Sequence, residues 1–279
     1  MTRLLVVNAD DMGLTPGVCR AVRRAHAEGV VTSTSVLAVG RAFDHAAATV
    51  RDAGGLGLGA HLAIVGEDRP LLSAREIPTL VDREGRFPLS YRTVVARGAA
   101  GRLDADDVAR EFRAQLERVR GIGVPVTHLD THQHTHLWPA VAAVVVDLAR
   151  EAGIGCVRLP GSRSRGPVGA GVRLLAGRLR RRLGRAGLAT TGAYAGLDEA
   201  GGLDAERFAA ALQQLTREGA ATAEVNTHPG EAGERDLDRF DWDYRWADEL
   251  AMLTAPSTRT LVERLGWRLG TFADVAGAA

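Results

Sequence analysis

The chain has 279 residues, a length that a single α/β barrel domain can fill. Its hydrophobic fraction of 46% and charged fraction of 25% are typical of a soluble globular protein, and its net charge of +1 excludes a global electrostatic attraction to nucleic acid. Two cysteines, Cys19 and Cys156, form no disulfide framework, and the apolar run at residues 4–7 is too short for a signal peptide or a transmembrane segment, so we expect a cytoplasmic protein.

The first part of the chain predicts two pairs of a strand followed by a helix. Residues 4–7 form a continuous apolar run that is typical of a buried parallel strand, and two adjacent carboxylates, Asp10 and Asp11, follow it. A helix is predicted from Thr15-Pro16, a cap followed by a first-turn proline, to Gly29. Residues 30–39 then predict a second strand, and a second helix follows over residues 42–53.

The third predicted strand, residues 54–65, carries His61 near its carboxyl end. The glycines of this segment lack the spacing of a dinucleotide-binding loop. Residues 66–103 show no clear period and predict a long loop, of the kind that acts as a lid or a binding element. Asp104 is expected to cap the next helix, because apolar residues recur at helical spacing from Val108 onward.

Four of the eight histidines lie within nine residues, just before a helix that Pro139 opens. These are His128, His132, His134 and His136, with Asp130 among them. In a strand, alternate residues share a face, so residues 126, 128, 130 and 132 are expected on one side. Neutral imidazoles with a carboxylate suit zinc, and the mixed set also admits magnesium or manganese. A polar strand face in water is the alternative, but this density of histidines favours a metal site.

Not all four histidines can be ligands, because a catalytic metal site usually keeps three protein ligands and an open position. The others can support the ligands or contact the substrate, and the sequence leaves open whether His134 or His136 joins the metal shell.

The second half of the chain brings further ionisable groups to predicted strand ends. A short strand ends at Arg158, and the strand over residues 221–226 is followed by His228. Between them, residues 162–185 carry eight arginines and no acidic residue. This segment is interpreted as a solvated helix face, with an anionic lipid or phosphate-bearing substrate as the alternative.

The remaining segments predict an amphipathic helix over residues 204–218 and an irregular aromatic stretch over residues 231–248. Trp242, Tyr244 and Trp246 in that stretch are available to stack on a ring-shaped ligand. Ser257 is expected to cap a last helix, and residues 267–272 predict the closing strand. No repeat or linker divides the chain, so residues 1–279 are interpreted as one domain.

Five motifs, taken in this order and spacing, resemble the YdjC/ChbG-type carbohydrate deacetylases. They are Asn8-Ala-Asp-Asp-Met-Gly13, Val31-Thr-Ser-Thr34, Gly59-Ala-His61, Thr127-His-Leu-Asp-Thr-His132 and Thr227-His-Pro-Gly230. The resemblance runs from Leu4 to Val275, and residues 76–87 are similar to the branch associated with hopanoid biosynthesis. Residues 163–185 are the least family-like part.

The resemblance implies a distorted (β/α) TIM-like barrel that binds one divalent metal ion, Mg²⁺ or Zn²⁺. By position, Asp11, His61 and His132 are its metal ligands. Asp10 is then the catalytic base and His228 the general acid. Arg158 is a further catalytic-site candidate, because it can orient Asp10 through a charge-assisted contact.

The implied activity is hydrolysis of the acetamide of an N-acetylated amino sugar, borne by an oligosaccharide, a glycolipid or a glycosylated metabolite. Contact of residues 163–185 with a lipid-linked substrate and pairing into a homo-oligomer are further expectations. A metal-dependent phosphoesterase or amidohydrolase is an alternative, because His-x-His pairs also build two-metal sites. A non-catalytic sugar-binding protein on the same fold is the other alternative.

Overall fold

The computed structural model describes residues 3–277, and one sheet of eight parallel strands organises this part of the chain. In chain order the strands are β1 (Arg3–Met12), β2 (Ser33–Val36), β3 (Gly57–Leu62), β4 (Val126–Thr131), β5 (Cys156–Val157), β6 (Ala193–Ala195), β7 (Thr222–Thr227) and β8 (Trp267–Leu269).

Ten α-helices of the described residues pack around this sheet. They are α1 (Pro16–Ala27), α2 (Phe43–Asp52), α3 (Tyr91–Ala99), α4 (Ala105–Arg120), α5 (Pro139–Glu151), α6 (Pro167–Ala186), α7 (Ala205–Glu218), α8 (Trp246–Thr254), α9 (Pro256–Arg264) and α10 (Phe272–Gly277). Two short 3₁₀ segments, His132–Leu137 and Arg235–Arg239, add to them. Between residues 3 and 277, no helix combines the length and the apolar character needed to cross a bilayer.

Strand β1 lies at the centre of a sheet that curls toward closure. It pairs with β7 along residues 4–9, with β2 along residues 8–12 and with β8 along residues 3–5. The strand order is β5-β4-β3-β2-β1-β7-β6, and Cys156 of β5 forms a parallel bridge with Ala189, shortly before β6. The prediction of a distorted (β/α) barrel is therefore confirmed.

The core follows from the sequence patterns. Leu5 and Val7 of β1 are fully buried, and burial of such a side chain contributes about 1.5–3 kcal/mol. Helix α1 begins as predicted, since the Thr15 hydroxyl accepts a hydrogen bond from the Val18 amide at 3.1 Å. The Asp104 carboxylate caps α4 in the same way, through the amide of Asp106 at 2.8 Å.

Several predicted boundaries were wrong. Strand β1 does not stop at residue 7 but continues to Met12, so Asp10 and Asp11 lie within the carboxyl end of the strand. The histidine strand β4 ends at Thr131, and His132 begins the 3₁₀ segment. The predicted loop over residues 66–103 contains α3, in which a single residue, Val94, is buried. A helix with one buried residue has no apolar stripe for the sequence to display.

Three predictions near the carboxyl end were also wrong. Ser257 does not cap α9, because that helix begins at Pro256 after Ala255 and no side chain caps it. The closing strand is shorter than predicted, since β8 ends at Leu269 and Phe272 opens α10. The irregular aromatic stretch also ends earlier than predicted, because Trp246 begins α8.

Candidate active site

All six residues that the sequence singled out lie at the carboxyl edge of the sheet. Asp10 and Asp11 end β1, His61 ends β3, His132 and His228 follow β4 and β7, and Arg158 follows β5. Each of the six is at most 7% exposed. The carboxyl ends of parallel strands are where α/β folds build their sites, and the topology brings these six side chains together there.

Strand β1 separates its two carboxylates by an irregularity in the backbone. Its pairing with β2 shifts register between Ala9 and Met12, and Asp11 has a left-handed φ of 60°. A non-glycine residue in that region costs of order 1 kcal/mol and persists only where its surroundings enforce it. The bulge therefore allows consecutive carboxylates to face different partners.

Asp11, His61 and His132 offer ligand atoms that lie within 4.8 Å of one another. Asp11 Oδ1 is 2.9 Å from His132 Nδ1 and 3.4 Å from His61 Nε2. One carboxylate oxygen and two imidazole nitrogens are a donor set that zinc accepts, and such a set also admits magnesium or manganese. The residues present therefore fit a divalent cation.

Asp130, which the sequence grouped with the histidines as a possible carboxylate ligand, fixes the orientation of His61. The two residues are register partners on β3 and β4, and His61 Nδ1 lies 2.7 Å from Asp130 Oδ1. In its neutral form, with the proton on Nδ1, His61 would offer the Nε2 lone pair to a cation beside Asp11, which is the usual arrangement behind a metal-binding histidine. Burial alone would lower the pKa of His61, but Asp130 and Asp10 raise it to about 10. The cluster therefore favours positive charge at this position.

Asp10 is held by four donors. Arg158 Nη1 and Nη2 donate to its two oxygens at 2.7 and 2.6 Å, and the side-chain amides of Asn8 and Asn226 donate at 2.8 and 3.1 Å. Burial would raise the pKa of Asp10, but Arg158 holds it below its ordinary value, so Asp10 is ionised. The contact between Arg158 and Asp10 that the sequence suggested is thus present, bidentate and fully buried.

Arg158 also bridges two more buried carboxyl groups. Its Nη1 is 2.7 Å from Asp130 Oδ2, and its Nε donates to Glu224 Oε1 at 2.7 Å. Burial raises the pKa of Glu224 to about 8, so this group keeps its proton at neutral pH. Asp10, Asp11 and Asp130 then carry three negative charges beside one guanidinium. Once His61 loses its proton to act as a ligand, a divalent cation at the Asp11 site would neutralise the two remaining negative charges.

The other histidines of the stretch have separate roles. His128 Nε2 lies 3.1 Å from Ser35 Oγ, and its ring stacks on Phe272 at 3.8 Å. His136 contacts Thr131 Oγ1 and the Arg158 carbonyl, so both of its ring nitrogens have partners. These two residues fit the structural reading of a buried histidine.

His134 differs from them, because its Nε2 contacts Tyr194 Oη at 3.3 Å while its buried Nδ1 has no partner among the described residues. Burial and the nearby Arg158 guanidinium hold the pKa of His134 well below its ordinary value.

A cavity of about 570 Å³ opens above the cluster, and all of the candidate residues except Arg158 reach it. Its floor is polar, whereas its walls carry apolar residues from α3, from the two positions just before α5 and from α6. Trp242 and Tyr244 line it as the sequence suggested, and Trp242 is anchored through Nε1 to Glu67 at 2.9 Å. Trp246 instead packs behind both rings, with centroids 5.7 and 5.0 Å away.

Comparison with known proteins gives relatives over the whole chain. A family model described as YdjC-like protein matches residues 4–264. The chitooligosaccharide deacetylase of Escherichia fergusonii is 31% identical over 276 residues, which cover 99% of this chain and 100% of that protein. The carbohydrate deacetylase of Brevibacillus brevis is 38% identical over 149 residues, 53% of this chain and 56% of that protein.

Among solved structures, a protein from Enterococcus faecalis V583 named for cellobiose-phosphate cleavage has a TM-score of 0.81. It is 23% identical, and the superposition covers 98% of this chain and 99% of that chain, which supports the fold. The family match over residues 4–264, with 31% identity along the full length of a relative, shows that the chain belongs to the YdjC-like protein family.

Proposed function

We propose that the protein is a metal-dependent N-deacetylase, which hydrolyses the acetamide of an N-acetylated amino sugar to a free amine and acetate. One observation carries the proposal: the ligand triad Asp11, His61 and His132 lies beside the ionised Asp10 on the floor of a sugar-sized cavity. Relatives named chitooligosaccharide deacetylase support the class of substrate.

The triad would hold one divalent cation, zinc or magnesium. When bound, such a cation polarises an amide carbonyl and lowers the pKa of water, the two effects that an unreactive acetamide needs. A second group of potential ligands, Asp10, His61 and Asp130, shares His61 with the triad. Arg158 Nη1 already lies 2.7 Å from both of those carboxylates, so this second position does not need a cation. The arrangement therefore supports a one-metal deacetylase over a two-metal phosphoesterase.

Asp10 is proposed as the general base. It lines the cavity and is ionised, so it can accept the proton of a water that attacks the acetyl carbon. Arg158 does not line the cavity, and its part is to position Asp10 and keep it charged.

His228 is proposed as the general acid that protonates the leaving amine. Its backbone amide donates to Glu249 Oε2 at 2.6 Å, and its ring contacts Tyr244 with centroids 5.0 Å apart. These contacts fix the ring at the cavity, while the buried Nδ1 has no partner among the described residues. A sugar amine is too basic to depart as an anion, so a proton donor at this position is required.

The apolar walls favour a substrate with an apolar group attached to the sugar. Tyr91, Val95 and Val168 are exposed at this rim, on α3 and α6. Helix α6 and the segment before it also present exposed arginines, from Arg165 to Arg185, so that a basic surface adjoins the apolar rim. We propose that this combination receives a lipid-linked amino sugar at an anionic membrane surface.

The decisive experiment measures acetate released from N-acetylated oligosaccharides and glycolipids, with and without a chelator. The Asp10→Asn variant, checked for retained metal, should lose about 10²–10⁴-fold in rate. Asp107→Asn is the matched control, because Asp107 is a buried carboxylate bonded to Thr79 and remote from the cavity. Binding of sugar without acetate release would support a non-catalytic sugar-binding protein, and an unchanged rate in Asp10→Asn would refute the mechanism.

A further inference from the structure

His134 lies on the cavity wall in an unusual backbone conformation. Gln133 and His134 have left-handed φ values of 50° and 52°, which interrupt the segment between β4 and α5. The Gln133 side chain maintains this turn, because it accepts from the Tyr91 amide and donates to the Leu89 carbonyl, each at 2.8 Å. Consecutive left-handed residues without glycine are costly and occur where surrounding contacts enforce them. Here the turn places the partly exposed His134 ring at the cavity.

A chain of hydrogen bonds fixes which nitrogen of His134 carries the proton. Asp10 receives both Arg158 Nη groups on its two oxygens and therefore acts as an acceptor, so the amide nitrogen of Asn226 must face it in the 3.1 Å contact. The Asn226 oxygen then accepts a hydrogen bond from Tyr194 Oη at 2.6 Å. This bond uses the single proton of the Tyr194 hydroxyl. Tyr194 Oη is consequently an acceptor toward His134 Nε2 at 3.3 Å. The proton of the neutral imidazole is therefore on Nε2.

With the proton on Nε2, Nδ1 of His134 carries a lone pair and no proton. This atom is buried and has no hydrogen-bond partner within residues 3–277, although its ring lines the cavity. The neighbouring Thr135 Oγ1 is also buried without a hydrogen-bond partner among these residues, and Thr135 lines the same cavity. A buried acceptor without a donor is unfavourable, and the His134 ring that carries it is partly exposed at the cavity, so a modest rotation of the ring would bring Nδ1 to a donor on the bound ligand.

Resting on the proposed deacetylase function, we propose that His134 Nδ1 accepts a hydrogen bond from one hydroxyl group of the substrate sugar. His134 is then a specificity-determining residue, distinct from the metal triad and from the general acid and base. An acceptor nitrogen selects a hydroxyl over an ether, a carbonyl or a bare carbon, because none of these can donate. Removing that hydroxyl should lower kcat/KM by roughly 10- to 100-fold.

The test is a cycle between variants of His134 and substrates that lack one hydroxyl. His134→Asn retains an acceptor close to the position of Nδ1, whereas His134→Gln retains a donor close to Nε2 and lacks that acceptor. Each protein is assayed with an N-acetylglucosamine oligosaccharide and its 3-, 4- and 6-deoxy analogues. The kcat/KM of the wild type should be 10- to 100-fold lower on one analogue than on the parent sugar. His134→Gln should show that lower kcat/KM already on the parent sugar, with no further decrease on the analogue. His134→Asn should recover most of the activity.

Calorimetric affinities for the same sugars separate this inference from the proposed function. The role of His134 alone is overturned if acetate is released but the loss from His134→Gln adds to the loss from each deoxy analogue. In that case His134→Gln and the wild type are equally sensitive to every analogue. Coupling in affinity without acetate release overturns the deacetylase proposal alone, and an absence of sugar binding overturns both. If neither variant folds, a wild type that tolerates the loss of every single hydroxyl still overturns the inference.

Discussion

Replacement of Asp130 by asparagine should weaken metal binding without unfolding the protein. Asp130 Oδ1 accepts from His61 Nδ1 at 2.7 Å in a fully buried position. A hydrogen bond to a charged acceptor contributes about 1.5–3 kcal/mol and a neutral one about 0.5–1.5 kcal/mol, so the exchange should cost about 1–2 kcal/mol. That corresponds to a roughly 5- to 30-fold weaker zinc affinity, similar to the effect of other partners of metal-binding histidines.

The structure adds a second penalty in the same direction. An asparagine whose oxygen faces His61 turns its amide nitrogen toward Arg158 Nη1, which is now 2.7 Å from Asp130 Oδ2. Two donors then oppose each other, so the side chain can hold His61 less firmly. Zinc affinity is measured by competition with a fluorescent chelator, with Asp107→Asn as the control for loss of one buried negative charge. A dissociation constant within twofold of the wild type would refute the reasoning.

Three further predictions concern stability. Arg158→Gln should lower the free energy of unfolding by about 3–5 kcal/mol in urea titrations, because Asp10 and Asp130 lose their buried counter-charge; a loss below 1 kcal/mol would contradict this. The folded-state pKa of Glu224, about 8, exceeds its ordinary 4.5. Glu224 therefore contributes fully to the free energy of unfolding below pH 4.5, and this contribution is lost as pH rises through 8. The Tm of Glu224→Gln should therefore rise relative to the Tm of the wild type between pH 5 and 8.5. A Tm difference that does not change with pH would exclude a raised pKa of Glu224. Gly59→Ala should cost about 1–3 kcal/mol in chemical denaturation, because the new methyl group would overlap the buried His128 ring, and an unchanged midpoint would show that the ring can move.

The sequence predicted the residues whose position depends on one strand alone. Asp10, Asp11 and His61 stand at the ends of apolar segments, where a parallel sheet collects polar groups, and the structure places them together. Their roles stay predictions. The dense histidine stretch was less informative, because His128 and His136 have partners of their own within the fold. A histidine pattern does not distinguish a ligand from a satisfied core residue.

The side-chain contacts that the sequence did not predict depend on which strands are neighbours. Asp130 orients His61 because β4 pairs with β3 in a register that makes them partners. Asn226 reaches Asp10 because β7 pairs with β1. No local pattern encodes these pairings, although a lone acidic residue in an apolar strand, Glu224, was a signal that could have been read as a buried partner of a basic side chain.

The central claim is that three separate segments of the barrel hold one divalent cation beside Asp10. Anomalous diffraction from crystals grown with zinc tests it directly. We predict a single anomalous peak at about 2.0–2.2 Å from His61 Nε2, His132 Nδ1 and an Asp11 oxygen. A peak that is absent there, or a fully occupied zinc elsewhere in the cavity, would contradict the account.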